Sequence, residues 1–383
     1  MAKKRANGEG SIYQRKSDGK WVGSISTDDG KRKVFYGKTK AEVREKLNEA
    51  VYAQQRGMLS VGPNVALQEY LENWLENIHK PTIRLSTYLN YRKLLDNYLL
   101  PGLGKIKLQK LTPQQVQAFY SQKINEGLSP KTVNNVHGVL HKALDNAVKW
   151  NMLPRNICDA VTPPRIPRKE LNYLTSDQAR ILLKEVKEHR LEALLTLAIT
   201  TGMRRGELLA LRWQDINFTD RSLQVRRAVS YLKNYGYVES EPKTARSRRT
   251  IMLPEFVISI LQQHREHQQE QEALAGKVWV SKGLVFTNAW GDYYSPSTML
   301  KVFKRFLESI DMPHMRFHDL RHSAATILLA MKVHPKIVQE ILGHSQITTT
   351  MDIYSHAMPS LQDDATEQWE DKFGKKSKKK GKK

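Results

Sequence analysis

Cysteine is almost absent from this chain: one thiol, Cys158, stands among 383 residues. A single cysteine excludes an intrachain disulfide and a cysteine-rich zinc site. Cys158 reads instead as a small packed apolar side chain. Long apolar runs are missing as well. No uninterrupted stretch is long enough to span a bilayer, and residues 1–8 lack the apolar core of a secretory signal. No membrane partner is expected, and a cytoplasmic protein is. Acidic side chains are scarce: 39 Asp and Glu stand against 62 Lys and Arg, a formal net charge of +23 and a sequence pI of about 9.8. No carboxylate cluster stands out, which argues against metal-dependent strand transfer. What is plentiful is positive charge. Lys and Arg that neutralise phosphates release condensed counterions, so an excess this large points to a polyanion. Hydrophobic residues make up 40% of the chain, enough to build packed cores, and the length suggests two or three domains.

Three segments read differently. In the first, residues 1–61, strands are expected over 10–14, 20–27 and 32–37. Turn signals Ser17-Asp18-Gly19 and Asp28-Asp29-Gly30 separate them, as hairpin turns would. A helix follows to about Arg56, with Thr39 as its cap and Glu42 placed to complete a capping box. Tyr13, Arg15, Lys20, Trp21, Lys33 and Tyr36 lie on these strands. A basic, aromatic-bearing sheet can enter a DNA major groove. The plainer reading packs Trp21 and Tyr36 on the helix, and both can hold because alternate positions face opposite ways.

The second segment, residues 63–165, reads as a helical bundle. Apolar residues recur at helical spacing over 65–79, with Leu67, Tyr70, Leu71, Trp74, Leu75 and Ile78 on one face. Ser86 looks like the cap of a second helix, which Pro101-Gly102 should break. Thr112-Pro113 and Ser129-Pro130 each read as a cap with proline at the first helical position. The apolar stripes are core. Lys131, Thr132 and Asn135 on the last helix are candidates to touch phosphates or bases. Residues 166–173, proline-rich and basic at their start, form a linker. The third segment, 174–373, reads as mainly helical with a three-stranded interruption over 213–253. Residues 374–383 form a basic tail expected to be disordered.

Four pieces of the third segment carry chemistry. Gly202-Met203-Arg204-Arg205-Gly206-Glu207 joins two helices, so Arg204 projects from a junction with Glu207 one turn on. Lys243 lies in Pro242-Lys243-Thr244-Ala245-Arg246-Ser247-Arg248-Arg249, between strands, where a loop lysine could protonate a leaving oxygen. His318-Asp319-Leu320-Arg321-His322 opens a helix, with His318 and Arg321 on one face. A metal site through His318 and His322 lacks a clear third ligand. Gly343-His344 ends a helix, and Tyr354 follows on the next short one. Each piece alone has a structural explanation; the order Arg, Lys, His-x-x-Arg, His, Tyr is far more specific.

With those residues, the third segment resembles the catalytic domain of the tyrosine recombinases, the phage integrase family. The whole chain resembles their three-part members from phages and integrative conjugative elements. The resemblance implies an α+β multidomain fold: a small sheet with a helix, then a helical bundle, then a mainly helical catalytic domain with a small sheet. It implies that 1–61 binds arm-type sites, 63–165 grips the core site and 174–373 cuts and rejoins DNA. It implies Tyr354 as nucleophile, forming a 3′-phosphotyrosyl bond, with Arg204, Lys243, His318, Arg321 and His344 as the catalytic set. Two guanidiniums would clamp the nonbridging oxygens. His318 would take the tyrosine proton from a group of pKa ~10, and Lys243 would protonate the departing 5′-oxygen. No cofactor or metal is implied. The expected partners are double-stranded attachment sites, a homotetramer on DNA, and an excisionase or host DNA-bending protein, with the enzyme nucleoid-associated when bound. Type IB topoisomerase-like strand passage, or a catalytically inactive DNA-binding regulator, remain alternatives.

Overall fold

The computed structural model describes residues 10–26, 32–55, 65–167, 172–241, 248–344, 346–348, 350–351, 369–370 and 372–373. The chain divides into two units, Met1–Arg168 and Lys169–Lys383.

The first unit opens with strands β1 (Ser11–Gln14), β2 (Trp21–Ser26) and β3 (Arg32–Gly37), then helix α1 (Lys40–Gln55). The sheet is antiparallel in the order β1-β2-β3. Strand alternation sorts its side chains between two faces. Ile25, Ile12 and Phe35 pack with Leu47 and Ala50 of α1, and Val43 sits over Gly23 and Gly37. Trp21 pairs with Gly37 in register and lies under the Lys40 ammonium, 5.3 Å from the ring centre. Lys33 pairs with Ile25 in that same row. Tyr13 and Tyr36 flank Val22 in the other row and are exposed. The two aromatic readings therefore divide: Trp21 belongs to the helix side and Tyr36 to the free face. Thr39 caps α1 through the Glu42 amide. The Glu42 carboxylate, however, accepts from the Lys38 amide rather than from Thr39, so the capping box is half made.

The helical bundle comprises α2 (Leu67–Asn73), α3 (Leu85–Leu94), α4 (Leu100–Leu103), α5 (Pro113–Asn125) and α6 (Pro130–Lys149). Leu67, Leu71, Trp74, Leu75, Leu95, Leu99, Leu140 and Leu144 are wholly buried in its core. The Tyr70 hydroxyl donates to the Ala143 carbonyl at 2.6 Å, so the buried phenol is satisfied. Three sequence expectations are corrected here. The first helix begins at Leu67, because the Val65 carbonyl is held by the Leu108 amide at 3.0 Å. The second begins at Leu85 with Arg84 in extended backbone at its cap; Ser86 lies inside the first turn. Pro101 does not end that helix. A wide π-type turn over Leu95–Leu99 carries the chain into α4, where Pro101 occupies the first turn. The backbone stays helical through Leu99 and Leu100, and the wide turn just before Pro101 is the kind of break in the i→i−4 ladder that accommodates a missing amide. Thr112 and Ser129 cap α5 and α6 as their proline-led motifs suggest.

The second unit contains α7 (Ser176–Glu185), α8 (Glu192–Thr201), α9 (Arg205–Leu209), β4 (Ile216–Asn217), β5 (Ser222–Val225), β6 (Ala228–Leu232), β7 (Gly236–Ser240), β8 (Arg249–Met252), α10 (Glu255–Ala275), α11 (Pro296–Ser309), α12 (Asp319–Ala330) and α13 (Pro335–Leu342). Helix α8 is buried on nearly every side, as its largely apolar sequence requires, and packs on α10 and α12. Strands β4, β5 and β8 form one antiparallel sheet in the order β4-β5-β8. A separate hairpin, β6–β7, was not foreseen. Its turn uses Asn234 and Gly236 at φ of 69° and 71°, the left-handed region those two residue types favour. The fold is thus α+β: sheet and helix, helical bundle, and a mainly helical unit with small sheets.

Candidate active site

The site is built where four chain segments of the second unit meet: the α8–α9 junction, the start of β8, the start of α12, and the turn after α13. The junction is sharp because Gly202 ends α8 at φ 60°. A Cβ there would stand 2.2 Å from Leu342 Cδ2 and 3.2 Å from Ala324 Cβ. Glycine therefore lets α8, α12 and α13 converge, in a backbone state that costs an L residue ~1–2 kcal/mol. The Gly202 carbonyl accepts from Arg321 Nη1 at 2.7 Å.

Glu207 organises the cationic side. Its Oε1 accepts from Arg204 Nη1 at 2.8 Å, and its Oε2 accepts from the Arg204 amide at 3.0 Å and from Arg249 Nη2 at 3.0 Å. Burial alone would raise its pKa, but the Arg249 guanidinium beside it, helped by Arg204, holds the carboxyl below its ordinary value. Arg204 Nη2 also donates to the Gly343 carbonyl at 3.2 Å. Arg249 Nε donates to the Ile341 carbonyl at 2.6 Å. Gly343, at φ 68°, closes over Arg249: a Cβ would meet its guanidinium Nη1 at 3.0 Å. The turn after α13 is therefore pinned by two arginines that share one carboxylate.

Among the described residues no carboxylate pairs with Arg321. It is buried, and its Nη2 has no hydrogen-bond partner among the described residues. Burial, with Arg204 and Arg249 nearby, pulls its pKa down to about 9, while Glu207 opposes the shift. Among the described residues, three guanidiniums and one carboxylate leave a positive excess with a buried, undirected N–H. Such a group is a receptor for an anion.

The imidazoles lie against this excess. Burial first, then Arg321 and Arg204, pushes His344 down to about 3, so its ring is neutral at ordinary pH. Its Nδ1 meets the Thr350 hydroxyl at 2.9 Å, and its backbone is held by Gln339 at both the amide and the carbonyl. His318 is lowered by burial, then by His322 and Arg321; a neutral imidazole is the form that accepts a proton. His318 and His322 meet edge to face with ring centres 5.3 Å apart. Among the described residues no group of three His, Cys, Asp or Glu could hold a metal.

Of the six residues singled out with a chemical role, Arg204, His318, Arg321 and His344 come together here, with Glu207 supporting. Lys243 and Tyr354 lie outside the described residues. Arg249 and Thr350 were missed as site residues. For Arg249 a signal existed: Arg249 and Ile251 share one side of β8, Leu253 continues the alternation just past it, and Val225 and Leu223 pair with the first two. An arginine in phase with buried apolar residues needs a buried anion, which Glu207 supplies. Thr350 carried no such signal.

The candidate nucleic-acid residues fall elsewhere. Lys131 and Asn135 are exposed on α6, while the Thr132 hydroxyl is engaged with Ser129 at 2.9 Å. Arg15 lies over the Tyr36 ring at 5.4 Å and pairs with Asp18. Lys20 stands 3.7 Å from Asp18.

Residues 172–360 match the phage integrase family, and residues 66–124 match the N-terminal SAM-like domain of phage integrases. A tyrosine recombinase XerC-like protein of Caldanaerobacter subterraneus is 32% identical over 89% of this chain and 92% of its own. The ICEBs1 integrase of Bacillus subtilis is 27% identical over 74% and 77%. Among solved structures, a Tn1549 transposon integrase in complex with circular intermediate DNA superposes with a TM-score of 0.69 at 21% identity, covering 79% of this chain and 99% of that one. A lambda integrase tetramer bound to a Holliday junction gives 0.55 at 18% identity, over 91% and 96%. No helix among the described residues is long and apolar enough to cross a membrane.

Proposed function

The chain belongs to the phage integrase family of tyrosine recombinases, enzymes that break and rejoin DNA at specific sites, and from that premise we propose that it integrates and excises a mobile element through a 3′-phosphotyrosyl intermediate on Tyr354. One observation carries the reading: the buried Arg321 Nη2, undirected within a cluster of positive excess. A phosphodiester is the anion that a DNA enzyme would bring there. Arg321 and Arg204 bind the nonbridging oxygens, and His344 Nε2 donates a third hydrogen bond. These donors meet the charge that develops as the phosphorus becomes five-coordinate.

The neutral His318 takes the phenol proton. The Tyr354 oxygen then forms a bond to phosphorus as the P–O5′ bond breaks. The departing oxygen takes its proton from Lys243. The energy of the phosphodiester is kept in the phosphotyrosyl bond, so a 5′-hydroxyl from a partner duplex reverses the step and joins a new strand. Glu207 holds the Arg204 guanidinium in its working orientation.

By likeness to the tetramer on a Holliday junction, four protomers assemble on two duplexes. An excisionase or host DNA-bending protein sets direction. In this reading residues 1–61 bind distal arm sites, with Tyr13, Arg15, Lys20, Trp21, Lys33 and Tyr36 as candidate contacts. Residues 63–165 grip the core site, with Lys131, Thr132 and Asn135 as candidates, and 174–373 carry the chemistry. The test is Tyr354→Phe on a nicked duplex carrying the attachment core. The variant should bind the duplex and form no covalent complex. Covalent trapping by that variant would remove the assignment.

A further inference from the structure

His344 and Thr350 meet through a single hydrogen bond, His344 Nδ1 to Thr350 Oγ1 at 2.9 Å. Thr350 is wholly buried. Among the described residues its hydroxyl has no other hydrogen-bond partner, and neither does His344 Nε2. A neutral imidazole carries one proton on one of its two nitrogens, and the partner of one nitrogen decides the role of the other. If Nδ1 carried the proton, the ring would donate to Thr350. The hydroxyl proton would then be buried with no acceptor among the described residues, which is unfavourable. If Thr350 donates to Nδ1, the hydroxyl is satisfied and the ring proton sits on Nε2.

We propose that Thr350 is a positioning residue that donates to His344 Nδ1 and thereby fixes the imidazole proton on Nε2, the nitrogen left to serve the scissile phosphate. The proposal rests on the reading of His344 as a phosphate donor. Without Thr350 the ring can also present a lone pair at Nε2, which would repel a phosphate oxygen. Thr350 lies in a short helical turn, four positions before Tyr354. The segment that leads to the nucleophile thus also sets the proton on a phosphate donor, so that donor is complete only when this turn is seated.

The test uses the full chain and single-turnover covalent complex formation on a nicked duplex carrying the attachment core. Thr350→Val keeps the shape and removes the hydroxyl. It should slow the step on the order of tenfold, the effect of losing about one hydrogen bond, with unchanged affinity for the duplex. Thr350→Ser should stay within about threefold of wild type. His344→Gln should be slow, and adding Thr350→Val to it should slow it no further. In the unsubstituted protein, the nitrogen shifts of ¹⁵N-labelled His344 should report a proton on Nε2, a readout that needs no variant to fold. A proton on Nδ1 would overturn the proposal. So would a Thr350→Val variant at wild-type rate beside a slow His344→Gln, or a Thr350→Ser variant as slow as Thr350→Val. A His344→Gln variant at wild-type rate would instead remove the role of His344 itself, and the proposal with it.

Discussion

Replacing Glu207 by Gln is the sharpest probe of how this site is held. The two side chains have nearly the same shape, so the change is one of charge and hydrogen bonding. In the native site Oε1 accepts from Arg204 Nη1, and Oε2 accepts from the Arg204 amide and Arg249 Nη2. With its oxygen at the Oε2 position, glutamine keeps two acceptor contacts but aims an NH₂ at the Arg204 guanidinium. Turned over, it aims the NH₂ at two donors. The better orientation still loses a charge-assisted hydrogen bond and removes the carboxylate charge that faces Arg249, a side chain only 5% exposed. Removing one partner of a buried ion pair costs about 3–5 kcal/mol. For a unit of this size that lowers the thermal midpoint by at least about 6 °C.

The acid side of the stability curve carries the sign. Glu207 is held below its ordinary value of 4.5, so its contribution is complete above the unfolded value and fades as pH falls through the folded one. The gap between wild type and Glu207→Gln should therefore be widest near neutrality and shrink below about pH 4.5. Arg204, freed from its carboxylate, should also cut more slowly, on the order of a hundredfold for a displacement of about 1 Å. Thermal unfolding from pH 3 to 7 and single-turnover cleavage measure both effects. A midpoint within 2 °C of wild type at pH 7, or a gap that grows on acidification, would refute the account of Glu207 as the shared counter-charge.

The other predictions concern the frame and the domains. Gly202→Ala should destabilise the chain by about 2–5 kcal/mol, from the left-handed backbone and from a Cβ pressed on Leu342; an unchanged thermal midpoint would contradict the close approach. Arg249→Met removes the donor to Ile341 and to Glu207, so stability should fall by about 3–5 kcal/mol, read by denaturant unfolding. Arg249→Lys should recover only part of that, because an ammonium cannot span both acceptors in a planar fork. Deleting residues 1–61 should leave core-site cleavage in place and abolish protection of distal sites in footprinting; unchanged protection would exclude an arm-binding role.

Much of this molecule is local and was legible in the sequence. The caps at Thr112 and Ser129 close over their own amides within three residues, and strands β4, β5 and β8 fall inside the 213–253 stretch expected to hold three strands. Where the reading failed, a distant segment or an irregular turn had intervened. Val65 is withheld from α2 by Leu108, and Pro101 is carried by a π-type turn that propensity does not encode. The sequence by itself determined the chemical inventory and its order: Arg204, Lys243, His318, Arg321, His344 and Tyr354, on a strongly basic chain. Side-chain chemistry and motif spacing survive any folding. What only the tertiary structure decided is which groups share charge and protons. Arg249 lies 42 positions from Glu207, and Gly202 lies 119 positions from the Arg321 that its carbonyl receives. Thr350 becomes meaningful only beside His344 Nδ1. A buried charge or a neutral imidazole takes its role from the group packed against it, and that neighbour is fixed by the fold.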